Sequence, residues 1–170
     1  MALALVGFAA VNVIFESTGY LADGEYADYA AAFTVMNWFV VALKLLGAAV
    51  ALLSVAKRSP RVPLGLLGVM VWGVFATLAV YFLGSVAQAV GMVLGVTGSA
   101  SDLDVAGIAY LIYFLAAAIG WGVLAVSYSR RHNLGWVTAV LGALGAPIVL
   151  GLVLVAMPAL LTALGLMPAS

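Results

Sequence analysis

Cysteine is absent from all 170 residues. That one absence excludes disulfides, thiolate metal sites, CxxC redox chemistry and cysteine nucleophiles. Histidine occurs once, as His132, beside Arg130 and Arg131; a solvated loop residue is its expected role rather than a general base. Charge is scarce as well: charged residues make up 7% of the chain, where a soluble domain carries about 25%. Six basic and six acidic residues cancel, so neither a polybasic surface for nucleic acid nor an acidic tail is available. No HExxH, GxSxG, P-loop or GxGxxG spacing occurs. The expectation is a chain that is not an enzyme, carries no cofactor or metal and has no nucleic-acid partner.

What the chain has in abundance is apolar surface: 67% of its residues are hydrophobic and the mean hydropathy is +1.29. Several apolar runs exceed the ~18 residues that mark a transmembrane segment, so the bilayer is the expected solvent and first partner. Lipid cannot satisfy backbone N–H and C=O groups, so runs of this length without alternation are helices. The reading is an all-α transmembrane bundle, a single integral membrane domain over residues 1–170. About five crossings are expected: residues 2–21, 31–56, a third starting near Val62, 106–128, and a fifth starting near Leu134. The opening stretch MALALVGFAAVNVIFESTGYL has no base before its apolar run, and ESTGYLADG offers no small-x-small site beside it. A retained first helix is therefore expected rather than a cleaved signal.

The connections sort by charge. All six carboxylates lie in two segments, Glu16, Asp23, Glu25 and Asp28 around the first connection and Asp102 and Asp104 in SASDLD. Five of the six bases lie in the alternate connections, Lys57, Arg58 and Arg61 in AKRSPR, and Arg130 and Arg131 in SRRH. The positive-inside rule then makes 57–61 and 129–133 cytoplasmic and 22–30 and 99–105 extracytoplasmic, with the N-terminus inside. Asp102 and Asp104 offer too few oxygens for the six to eight of a Ca²⁺ site, and capping the next helix is their expected role.

Two runs, 62–98 and 134–168, exceed what one crossing needs. In the first, Gly84-Ser85 is a candidate end of the crossing, leaving VAQAVGMVLGV as a surface or re-entrant helix. In the second, Pro147 is expected to kink the helix and Pro158 to end or deflect it. LGAAVALLSVAKR at 46–58 aligns without gaps on IGWGVLAVSYSRR at 119–131, pairing Gly47 with Gly120 and Ser54 with Ser127; this marks a candidate parallel repeat of two helix pairs. Gly91 and Gly95 form a GxxxG near Gln88, a pattern that lets helices approach closely. Tyr26, Tyr29, Tyr128 and Trp136 fit an aromatic belt at the headgroup level, and Tyr110 and Tyr113 lie near the outer end of the fourth helix.

The sharpest feature is Lys44, in NWFVVALKLL. A helix entering near Ala31 carries it about 20 Å down the axis, close to the bilayer midplane. Insertion scales put a central lysine at about +2.5 to +3.5 kcal/mol, and its side chain is too short to snorkel from there, so it needs a partner. Asn37 and Lys44 are two turns apart and share a face; Asn12 and Glu16 are one turn apart and share another. Side chains tilt toward their helix N-terminus, so in antiparallel neighbours Lys44 and Glu16 lean toward each other across an axial gap of about 12 Å, with Asn12 placed to fill the remainder. Asn12, Glu16, Asn37 and Lys44 are therefore expected to form one intramembrane polar cluster.

The stretches NWFVVALKLLGAAVALLSV and AYLIYFLAAAIGWGVLAVSYSRR, on this Ala/Val/Gly/Leu background, resemble the small uncharacterised multi-pass membrane proteins of high-GC Gram-positive bacteria. The resemblance covers about a quarter of the chain and implies a bacterial plasma membrane location, with no substrate. Two functions stay open at this point. One is a non-enzymatic structural or interaction subunit with a homo- or hetero-oligomeric membrane partner; the other is a small transporter or ion- or proton-coupled carrier using Lys44 and Glu16.

Overall fold

The computed structural model describes residues 2–18, 29–56 and 62–165. Among these there are five α-helices and no strand: α1 (Ala2–Ser17), α2 (Ala30–Val55), α3 (Leu64–Val93), α4 (Val105–Arg131) and α5 (Trp136–Ala163), with a 3-10 turn at Ala100–Asp102 before α4. The chain is a helical membrane protein. α2, α3, residues 107–131 of α4 and α5 are each long and apolar enough to cross a bilayer, while α1 is a shorter apolar helix. The expected segment 2–21 is thus helical to Ser17, and its last three residues, with 22–28 and the basic stretch 57–61, lie outside the described residues. Ser129, Arg130 and Arg131, expected in a loop, form the last turn of α4, where two cations meet the negative end of the helix dipole.

Both overlong runs resolve into single helices. α3 passes through Gly84-Ser85 without a break, and the Ser85 hydroxyl donates back to the Tyr81 carbonyl at 2.9 Å. α5 passes through both prolines and ends at Ala163, so Pro158 does not end it. The same physical reason covers both corrections. In hydrocarbon an opened turn leaves carbonyls and amides that no water can reach, so continuing the helix costs less than breaking it.

α3 and α4 stop where a residue takes up the left-handed region. Gly95 (φ 70°) ends α3 with Val96 N–H donating to Gly91 O at 2.8 Å and Gly95 N–H to Met92 O at 3.1 Å, the paired bonds of a Schellman motif. Asn133 (φ 51°) ends α4 the same way, with Leu134 N–H donating to Ser129 O at 3.0 Å. Gly95 is therefore a helix terminator rather than half of a helix-packing GxxxG. α4 begins as expected, with the Asp104 carboxylate accepting from Gly107 N–H at 2.7 Å. Replacing Asp104 by Ala is expected to cost about 1 kcal/mol, read as a fall in the thermal midpoint of the purified protein.

Contacts gather the chain into two compact units, Met1–Leu53 with Ile148–Ser170, and Ser54–Pro147. In the second unit α4 turns the stripe Ala118, Trp121, Ala125 and Tyr128 inward, spaced at i, i+3, i+7 and i+10, against Leu67 and Val71 of α3; all six are buried. Tyr128 is 1% exposed and its hydroxyl donates to Leu64 O at 3.4 Å, so it is a core residue and not part of a surface belt, whereas Trp136 is 76% exposed. Trp72 of α3 donates from its indole nitrogen to the Ser129 hydroxyl at 2.9 Å. The first half of α5 lies on α3 through glycine: a Cβ on Gly142 would collide with the Val69 carbonyl and the Trp72 Cβ. Ser54 is buried and Ser127 exposed, so the aligned positions of the two similar stretches sit in unlike surroundings.

Candidate functional site

The first unit holds the polar residues that an apolar chain can least tolerate. α1 and α2 run antiparallel along one seam, and the contacts step down α2 as they step up α1. Glu16 lies against Thr34 and Asn37, Asn12 against Asn37 and Lys44, Phe8 against Lys44, and Leu5 against Gly47. On α1 the residues lie at 5, 8, 12 and 16 and on α2 at 34, 37, 44 and 47, spacings of three, four or seven that keep them on one face of each helix. Gly47 allows the approach: a Cβ there would lie 3.1 Å from the Leu5 Cδ1. Ala9, Val41 and Ala48 are buried beside the polar residues, 3%, 5% and 4% exposed, and close the seam with small apolar side chains.

Asn12, Glu16, Asn37 and Lys44 are brought together in one hydrogen-bonded chain. The Lys44 ammonium donates to Asn12 Oδ1 and, at 3.4 Å, to the Phe8 carbonyl. Asn12 Nδ2 donates to Asn37 Oδ1 at 2.6 Å. Asn37 Nδ2 donates to Glu16 Oε2 at 3.2 Å and to the Asn12 carbonyl at 3.0 Å. Thr34 supplies a further hydroxyl, donating to Glu16 Oε1 at 2.8 Å. Ammonium and carboxylate are thus joined through two amides. The expected 12 Å gap is closed by Asn12 and Asn37 in series, where Asn12 by itself was the expectation.

The direction of this chain follows from the chemistry of its ends. An ammonium has donors only and an ionised carboxylate has acceptors only. Lys44 therefore takes the oxygen of Asn12, which frees the Asn12 nitrogen for the Asn37 oxygen, which frees the Asn37 nitrogen for Glu16. Both amide dipoles point the same way, from the positive to the negative end, and each polarises the next. Each charge is also held by the opposite helix: Lys44 of α2 is bound by α1 groups, and Glu16 of α1 by α2 groups.

Magnitudes show why this suffices. The Lys44 ammonium also sits over the Phe8 ring, 4.1 Å from its centroid, a cation–π contact of about 1 kcal/mol when partly desolvated. Interhelical hydrogen bonds in membranes average about 0.6 kcal/mol and reach about 1.7. Two such bonds and the ring match the ~2.5–3.5 kcal/mol that a midplane lysine costs. Among the described residues no buried side-chain nitrogen or oxygen is without a hydrogen-bond partner. Asn37, at the middle of the chain, is 8% exposed.

Two members escaped the sequence reading. Thr34 lies three residues before Asn37 and Phe8 four before Asn12, so helical spacing places both on the polar faces. A threonine hydroxyl and an aromatic ring carry no charge to draw the eye in an apolar run.

Other candidates belong to other arrangements. Tyr81, Tyr110 and Tyr113 surround Phe114 in the second unit, with ring centroids 5.1, 6.3 and 5.4 Å from it. The His132 ring lies 4.5 Å from that of Tyr128. A cavity of about 190 Å³ between the first turns of α2 and the last turns of α5 is lined by residues such as Ala32, Met36, Met157 and Leu161, with no charged group. Among the described residues no three of His, Asp and Glu gather where they would hold a metal ion. No protein-family model, curated protein or solved structure matches this chain.

Proposed function

We propose that this protein is a non-enzymatic subunit of a membrane assembly, in a bacterial plasma membrane, with five crossings and a cytoplasmic N-terminus. Its α1–α2 cluster acts as a latch that fixes two helices in register. The observation that carries this reading is the closure of the polar chain: among the described residues, every hydrogen-bonding partner of the Lys44 side chain comes from α1, and every one of the Glu16 side chain comes from α2. A shift of α1 by one turn, about 5.4 Å, breaks all of these bonds at once, which is how a buried polar set specifies register. A carrier that used Lys44 and Glu16 would have to release these bonds in each cycle. The orientation rests on the bases at 57–61 and 130–131, and the membrane assignment within the cell on the resemblance noted above.

Purification in mild detergent followed by native mass measurement tests the reading. The expected result is a stoichiometric complex, with a second copy or with another membrane subunit, that Lys44→Met weakens. A monomer whose Lys44→Met variant keeps its fold but loses an ion or proton flux in vesicles would overturn it in favour of a carrier.

A further inference from the structure

α1 is the helix least able to cross a membrane by itself. It has 16 residues, about 24 Å at ~1.5 Å per residue, against a hydrocarbon core of ~30 Å. Two of those residues are Asn12 and Glu16, while α3 and α5 carry no charge along 30 and 28 residues. The side-chain groups that make α1 costly in lipid are bonded to α2: Asn12 to Asn37 and Lys44, Glu16 to Thr34 and Asn37. α2, at 26 residues, spans on its own length.

We infer that α1 enters and stays in the bilayer only as a pair with α2, and that Lys44 is the group that holds it there. This rests on reading the cluster as a latch, and goes beyond it: register is a property of two inserted helices, whereas this concerns whether one of them is inserted at all. Without Lys44, Asn12 Oδ1 loses its donor and the Glu16 carboxylate loses its counter-charge. α1 then has a second place to go. Drawn to the headgroup boundary, this short helix returns Asn12 and Glu16 to water, which lipid cannot offer them.

The cysteine-free chain allows single reporters. Ala10→Cys lies near the middle of α1 and Ala116→Cys near the middle of α4, both exposed on the helix surface. Each single-cysteine protein is reconstituted in phosphatidylcholine–phosphatidylglycerol vesicles of mixed orientation and treated with a membrane-impermeant maleimide. With Lys44 intact both sites are expected to resist labelling. With Lys44→Met, the Ala10→Cys site is expected to label about ten- to a hundredfold faster, the factor set by losing one charge-assisted hydrogen bond, while Ala116→Cys stays protected. Adding Asn12→Leu and Glu16→Leu to Lys44→Met removes the polar groups from α1 and is expected to restore protection at position 10.

Protection of position 10 in Lys44→Met, with a lowered thermal midpoint, overturns the inference and leaves the latch standing. An unchanged midpoint together with unchanged labelling overturns both. Labelling of position 116 as well, or failure of the added leucines to restore protection, overturns the inference, because the loss would then be general rather than confined to α1.

Discussion

Lys44→Met is expected to destabilise the protein by about 3 kcal/mol: Lys44 and Glu16 are joined through Asn12 and Asn37 rather than paired directly, which places the loss at the low end of the ~3–5 kcal/mol seen when one partner of a buried ion pair is removed. Glu16 is also only half-buried and stands one residue from the end of α1. Methionine keeps the length and apolar stem of lysine, so the loss reports the ammonium. Its removal takes away the donor to Asn12 Oδ1 and the Phe8 carbonyl and the cation over the Phe8 ring. It also leaves Glu16 as the lone charge in its unit among the described residues. The companion variant Lys44→Met/Glu16→Gln removes both charges, and its loss is expected to be smaller than that of Lys44→Met by about 1–2 kcal/mol, since no uncompensated charge remains. Reversible denaturation of the purified variants in detergent measures all three proteins. Equal losses in the single and double variants would show that the two charges do not communicate through the asparagines.

Lys44 and its partners were legible in the sequence because a charge or an amide in an apolar run is conspicuous, and because helix rise and the tilt of side chains are fixed quantities. Two helices and a lean direction were enough to bring Asn12, Glu16, Asn37 and Lys44 within one seam. The same method gave the start of α2 to within a residue, and the Asp104 cap. What escaped it has a common cause. Thr34, Phe8 and Tyr128 are ordinary residues in membrane helices, and only their neighbours in space give them roles: a carboxylate, an ammonium, and the Leu64 carbonyl.

Gly84-Ser85 and Pro158 fail to end their helices for a different reason. They are breakers in water, where an opened turn finds solvent, and α3 and α5 run on through them in surroundings where it does not. Glycine is the hardest residue to place from sequence, since one residue type serves opposite purposes. Gly95 ends a helix through a positive φ, Gly47 admits a leucine from the neighbouring helix, and Gly142 lets two helices touch at the backbone. Spacing alone made Gly91 and Gly95 look like a packing pair.

Gly142→Ala is expected to destabilise the protein by about 1–3 kcal/mol or more, and Gly145→Ala, three residues later on the same helix, to be neutral or to stabilise it by up to about 1 kcal/mol. Helix propensity favours alanine equally at both, so the difference in sign isolates packing. At Gly142 the added Cβ meets the Val69 carbonyl, the Trp72 Cβ and, at 3.0 Å, the Gly73 nitrogen; these are backbone atoms and a Cβ, which cannot swing aside as a flexible side chain does. α3 and α5 must then separate. Separation also loosens the contacts that flank Gly142 on α5, Thr138 against Gly68 and Ala146 against Gly73. Lipid chains are as apolar as leucine, so no hydrophobic force draws α5 back, and close packing is what holds it to α3. At Gly145 nothing lies within 4 Å of the added methyl. Thermal midpoints of the two purified variants decide the matter: a shift of the same sign and size in both would mean that the Gly142 contact does not hold α5 against α3.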